Sequence, residues 1–230
     1  MDIAQTNLTR RHYKRLRWYF AGGTKGATSA ADSVDLDLCA QNFILRKEIY
    51  TTLIFAITPA GELALALENA REKERRAPHH ELGGRLSQWL RASGRITWEN
   101  IEFLMEFPAE HGGVFKSASR PDVFSMKPTY NVDQMNPVIH EVKVSRADFL
   151  SDIANPAKRE AYGAYSEAFS YVCPQGMILP SEIPPGVGLL YEYEQCKFQI
   201  IVKPKRKKIV LAPRTFMNLI LKPGKIDPLD

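Results

Sequence analysis

The residues with the clearest chemical potential are Asp122, in Arg120-Pro121-Asp122-Val123-Phe124, and Glu141 and Lys143, in Ile139-His140-Glu141-Val142-Lys143-Val144. Successive side chains of an extended strand point to opposite faces. Glu141 and Lys143 therefore share one face, and Val138, His140, Val142 and Val144 take the other. An acid and a base thus fall inside an apolar strand, where charge is costly unless it is paired or bound to a metal. Two readings follow. A divalent ion held by Asp122 and Glu141, with Lys143 beside a bound water, has the chemistry of phosphodiester hydrolysis. A cross-strand salt bridge from Lys143 to either carboxylate contributes only a few tenths to about 1 kcal/mol where exposed. The apolar setting favours the metal.

Several elements must position these groups. Leu82, Leu86, Trp89 and Leu90 share the apolar face of a helix that starts at Glu81 and stops at Gly94. Residues 96–98 and 101–107 read as strand with a break near Asn100, followed by the Asp122 and Glu141 strands, which are joined by a long loop from Lys127 to Pro137. Ser145, with Asp148 three residues on, starts a helix directly after Lys143, and Asn155-Pro156 starts another. Residues 168–172, 188–193, 197–202 and 209–211 read as strands and 214–221 as a helix. This order predicts an α/β (α+β) domain, a mixed sheet flanked by helices.

Upstream, residues 8–20 and 33–41 read as helices separated by a Gly- and Ser-containing loop, and 43–49 and 51–57 as tightly joined strands. Thr58 is the expected cap, and Pro59 the first residue, of a helix running into the charged run Arg71 to Arg76. Pro78 and that run place a boundary near residue 77, giving a module over 1–77 and a second domain over 78–230. The order helix, helix, two-stranded wing, helix resembles winged-helix DNA-binding domains.

At 230 residues, 44% hydrophobic and 25% charged, the chain has the composition of an ordinary soluble protein. It has no apolar run long enough to span a membrane and no secretion-signal pattern at Met1, so a cytoplasmic location is expected. Its three cysteines and five histidines are scattered, which argues against a disulfide framework or structural zinc. The net charge of +5 is clustered, with Arg10, Arg11, Lys14, Arg15 and Arg17 in one segment and Lys203, Lys205, Arg206, Lys207 and Lys208 in another. Such clusters attract a polyanion, DNA first among candidates; one cluster alone reads better as a solvated surface, or for the second as a nuclear-localisation-like run, but two flanking a metal-type site favour the polyanion.

Asp122 after Pro121, 18 intervening residues, then Glu141-Val142-Lys143 resembles the signature of the PD-(D/E)XK nuclease superfamily. The stretch Glu141 to Phe149, the Lys/Arg/Tyr helix after it and Phe169-Ser170-Tyr171-Val172 look like the bacterial MmcB-type branch of DNA-repair nucleases, over roughly residues 79–195. The resemblance implies a restriction-endonuclease-like core that cleaves DNA, as an endodeoxyribonuclease in repair, restriction or mobile-element defence. It implies Mg²⁺ (or Mn²⁺) on Asp122 and Glu141, with the Val142 carbonyl and a carboxylate of the first core helix, Glu81, as further ligands and Lys143 as catalytic lysine. Arg146, Lys158, Arg159 and Tyr162 are expected at DNA near the site. Arg11, Lys14, Arg15, Lys205, Arg206 and Lys207 are expected to contact it from the basic segments. A homodimer is compatible with this reading. The alternative is a non-catalytic DNA-binding protein or regulator built on the same fold, and RNA is a less favoured substrate.

Overall fold

In the computed structural model, which describes residues 8–28, 32–49, 52–108 and 114–227, helix α1 (Arg10–Ala21) opens the first of two units, Met1–Arg76 and Ala77–Asp230. Strand β1 (Ala27–Thr28), helix α2 (Ser33–Ala40), strands β2 (Ile44–Ile49) and β3 (Thr52–Ile57) and the start of helix α3 (Pro59–Ala92) complete it. Asp32 caps α2 by accepting the Val34 and Asp35 amides. Thr58 Oγ1 accepts the Gly61 amide at 3.1 Å ahead of the first-turn proline, and such caps satisfy amides that a helix start leaves unpaired. The strands form an antiparallel sheet in the order β1-β3-β2, over Leu16, Tyr19, Leu38, Phe43 and Phe55. The order helix, helix, hairpin, helix is the expected one. Strand β1 is added where the glycine-containing stretch reads as loop, because two residues carry no alternation to detect.

Pro78 does not interrupt α3. A proline inside a helix removes one hydrogen bond and crowds the carbonyl four residues back, and the expected stop there does not occur. The real stop is at Gly94, φ +75°, where the Arg95 amide bonds the Leu90 carbonyl at 3.1 Å and the Gly94 amide bonds that of Arg91 at 2.8 Å. This is the glycine-terminated helix end expected from the sequence.

The second unit continues with β4 (Ile96–Glu99), β5 (Phe103–Pro108), β6 (Val114–Ser119), β7 (Val123–Met126) and β8 (Val138–Val142). Helices α4 (Arg146–Ile153) and α5 (Pro156–Tyr162), strands β9 (Ala168–Pro174), β10 (Gly188–Glu194) and β11 (Lys197–Val202), and helix α6 (Pro213–Leu221) follow. A six-stranded sheet runs β11-β10-β9-β8-β7-β4. The β8–β9 and β9–β10 pairs are parallel and the other pairs antiparallel, so the fold is α+β with a mixed sheet. Leu82, Leu86 and Leu90 of α3 pack on one face, over Val123, Val142 and Val172. Phe124 and Ile139, on the other face, pack with Tyr162 of α5 and Leu219 of α6.

Asn100, at φ +51°, marks the break between β4 and β5, which belong to different sheets; β5 pairs with β6 in a separate hairpin. Residues 209–211 are not a strand. Leu211 is buried and Ile209 packs against the same core, whereas Val210 between them is exposed, so the two flanking side chains anchor this run to the core without a pairing partner. The three cysteines are free. No described helix is long and apolar enough to cross a membrane.

Candidate functional site

The antiparallel register of β7 and β8 pairs Val123 with His140 and Phe124 with Ile139. One step further along it, Asp122 falls opposite Glu141. Asp122 lies just outside β7, and its Oδ2 accepts the Val142 amide at 2.7 Å, while Oδ1 sits 3.0 Å from His79 Nε2. That hydrogen bond, and then the Asp122 charge, raise the His79 pKa above its ordinary value, against the effect of burial. A hollow of about 10 Å³, lined by His79, Gly83, Asn100 and Asp122, has room for about one water.

Glu141 is 3% exposed and Lys143 is also 3% exposed. Lys143 follows β8 and shares the face of Glu141, as alternation requires. Its Nζ lies 3.4 Å from Glu141 Oε1, 3.0 Å from Asp152 Oδ2 and 3.5 Å from Asp148 Oδ2. Helix α4 supplies both aspartates because Ser145 Oγ accepts the Asp148 amide at 3.2 Å and starts the helix directly after the lysine. Lys158 of α5 bonds Glu141 Oε1 and lies 3.4 Å from Asp152 Oδ1. The Tyr162 hydroxyl donates to Glu141 Oε2 at 3.1 Å.

The electrostatics follow from this packing. Burial, and then the Asp122 charge, raise the Glu141 pKa against the pull of Lys158 and Lys143. Burial depresses Lys143, but Glu141 and Asp152 outweigh it and hold the ammonium charged. Burial, followed by Glu141 and Asp122, keeps the Tyr162 hydroxyl protonated and so a donor.

The two carboxylates are hard oxygen donors, and Asp122 disfavours charge on buried Glu141, a conflict that a cation between them would relieve. Among the described residues no three His, Cys, Asp or Glu side chains are grouped to hold a metal. Carboxylate oxygens are the donor type that Mg²⁺ takes, and it is commonly held by one or two of them with waters completing its shell. The Val142 carbonyl is the further oxygen the signature implies. Glu81 is exposed, with Arg85 as its charged neighbour. The helix residue that reaches Asp122 is His79.

The expected phosphate ligands divide in two. Lys158 and Tyr162 join the carboxylate centre, with Tyr162 buried. Arg159 donates to the Asp152 and Ile153 carbonyls, at 2.7 and 3.2 Å, and so closes the end of α4. Arg146 is held by Glu182. In the first unit Arg15 is tied to Asp32 at 2.8 Å and Asp35 at 2.7 Å, so it joins α1 to α2, whereas Arg11 and Lys14 are exposed. Lys205, Arg206 and Lys207 are exposed on an arm fixed through its backbone, with the Lys205 amide on the Gly186 carbonyl and the Lys207 amide on that of Glu167, both at 2.9 Å.

Two participants escape the sequence reading. His79 is missed because Pro78 is taken as a boundary, which leaves it outside the helix. Asp152 carries a usable signal, since it lies four residues after Asp148 on one helix and therefore on the face turned toward Lys143.

No family model and no curated protein matches the chain. A solved structure, the SPO1766 protein of unknown function from Silicibacter pomeroyi, is similar to it at 26% identity, covering 62% of this chain and 80% of that one, with a TM-score of 0.42.

Proposed function

We propose that this chain is a Mg²⁺- or Mn²⁺-dependent deoxyribonuclease with a PD-(D/E)XK-like core, its first unit acting as a winged-helix-like DNA-binding module. The observation that carries the reading is the register that sets Asp122 opposite Glu141, with Lys143 on the same face. Asp122, Glu141 and the Val142 carbonyl would hold the ion. Such an ion polarises a phosphoryl oxygen and acidifies its water. The Val142 amide orients Asp122 by fixing Oδ2. Tyr162 orients Glu141 from the other side. Lys143 presents an ammonium where negative charge develops, anchored by Asp152.

The second reading, a binding protein without catalysis, is favoured by one observation: both oxygens of Asp122 and of Glu141 already have partners within the chain. Incubating the full chain with duplex and single-stranded DNA, with divalent metal or chelator, separates the two. The nuclease reading expects cleavage only with metal, lost in Asp122→Asn, Glu141→Gln and Lys143→Met. Salt-sensitive binding without cleavage of any DNA form establishes the second reading, and equal cleavage by all four proteins reveals a contaminant. Matched RNA in the same assay decides the substrate class.

A further inference from the structure

At the other end of β7 from Asp122 lies a cavity of about 660 Å³, within the range of small-ligand sites. The five strand steps from Asp122 to Lys127 separate the two places by roughly 16 Å. Its walls carry five cationic side chains against the two carboxylates of Asp133 and Glu167. Glu167 is already engaged by Asn136 Nδ2 at 3.2 Å and Lys208 Nζ at 3.7 Å. Lys208 also donates to the Asp133 carbonyl, and the Lys207 ammonium lies over Gly163. Among the described residues Arg95, Lys127 and Arg206 remain as cations facing this space with no carboxylate partner, leaving the Asp133 carboxylate as the one anion set against them.

Arg95 is the unusual member. Its guanidinium donates from Nε to Ser125 Oγ at 3.0 Å, from one terminal nitrogen to the Ser125 and Asn136 carbonyls at 3.0 and 2.7 Å, and from the other to Asn136 Oδ1 at 3.4 Å. All four acceptors are neutral, and among the described residues no carboxylate pairs with it. A guanidinium has five N–H groups, so one is left over, and the bond to Asn136 Oδ1 is long. Its positive charge is thus partly desolvated, rigidly oriented and, among the described residues, without a carboxylate partner, a state in which burial of charge is costly. Burial, and then the neighbouring Arg206 charge, draw the Arg95 pKa down to about 10, so the cavity already holds two guanidinium groups in mutual repulsion. An anion between them would remove the conflict, and a planar guanidinium fork suits phosphate oxygens.

We infer that this cavity is a second, phosphate-binding site for a nucleotide-sized anion, with Arg95 as the fixed ligand and Arg206 and Lys127 as the exposed ones. It does not depend on the nuclease reading. Calorimetric titration of the full chain at low salt with thymidine monophosphate tests it, with inorganic phosphate and a short oligothymidylate as parallel probes. The expected result is binding of thymidine monophosphate that weakens about tenfold in Arg206→Ala/Lys127→Ala and between about 50 and about 200 mM salt. Arg95→Gln should abolish it. Because Arg95 also anchors the 127–137 loop, the exposed double variant is decisive if that protein fails to fold. Equal affinity for inorganic phosphate identifies free phosphate as the ligand, and tighter binding of the oligonucleotide identifies a nucleic-acid strand; both support the site. No binding of any probe, or affinity unchanged in the double variant, overturns it. Loss of binding in Asp122→Asn would also overturn it, by assigning the anion to the carboxylate centre, and would leave the nuclease reading standing.

Discussion

Asp122 and Val142 are joined by a 2.7 Å hydrogen bond from the Val142 amide to Asp122 Oδ2, so a side chain just outside β7 completes the pairing of β8. One carboxylate oxygen is thereby structural and the other faces His79. Asparagine can keep the structural bond, because its carbonyl oxygen still accepts the amide, but it abolishes the charge. Asp122→Asn should therefore unfold within about 1 kcal/mol of the parent, while Asp122→Ala, which strands a backbone donor, should lose about 2 kcal/mol. Metal-dependent cleavage should fall about 100-fold or more in both. Urea unfolding alongside the cleavage assay separates the effects, and equal stability of the two variants would contradict a structural Oδ2.

Lys143 and Glu141 are both buried, and Lys143 also neutralises Asp152. Removing Lys143 leaves buried Glu141 and Asp152 to share the Lys158 ammonium alone, so Lys143→Met should destabilise the fold by about 3 kcal/mol. Replacing both charges with apolar groups should cost less, and Lys143→Met/Glu141→Leu is expected to recover part of that loss. A double-mutant cycle in urea measures it; additive losses would mean that the two groups are not coupled.

His140 is 5% exposed, and neither ring nitrogen has a hydrogen-bond partner among the described residues. Burial, and then the Arg95 charge, push its pKa down to about 3. The unfolded chain thus takes up a proton near pH 6.5 that the folded chain refuses, and stability falls as pH drops through this interval by up to about 1.4 kcal/mol per unit. His140→Leu should add about 1 kcal/mol at neutral pH by removing orphaned polar atoms and should flatten this slope. An unchanged slope would mean that another group causes it.

Legibility of the site followed the range of the signals. The alternation of β8 places Glu141 and Lys143 on one face from residue type alone, and Ser145 announces α4 because its side chain bonds an amide three residues away. These are local rules, and they hold. The partner of Asp122 was not legible because a proline penalty is local, whereas α3 runs through Pro78, with Leu65 before it in one core and Leu82 after it in another. Arg15, Arg146 and Arg159 read as free cations because their acceptors, Asp32 and Asp35, Glu182, and the end of α4, are brought to them only by the fold.

Arg146 and Glu182 show what that engagement means for binding. Arg146 approaches both Glu182 carboxylate oxygens and also donates to the Met177 carbonyl at 2.9 Å. Arg146, and then the Leu179 amide, lower the Glu182 pKa from 4.5 to about 2. A carboxyl depressed in this way contributes stability above its unfolded pKa and loses it as pH falls through the folded one. The parent should therefore lose thermal stability more steeply between pH 4.5 and about 2 than Glu182→Gln, and melting curves across that interval measure the difference. Releasing the arginine should have a second effect: at neutral pH Glu182→Gln frees a cation for phosphate and should steepen the salt dependence of DNA binding by about one counterion. Parallel melting profiles together with an unchanged salt slope would show that Arg146 is neither restrained by Glu182 nor able to reach DNA.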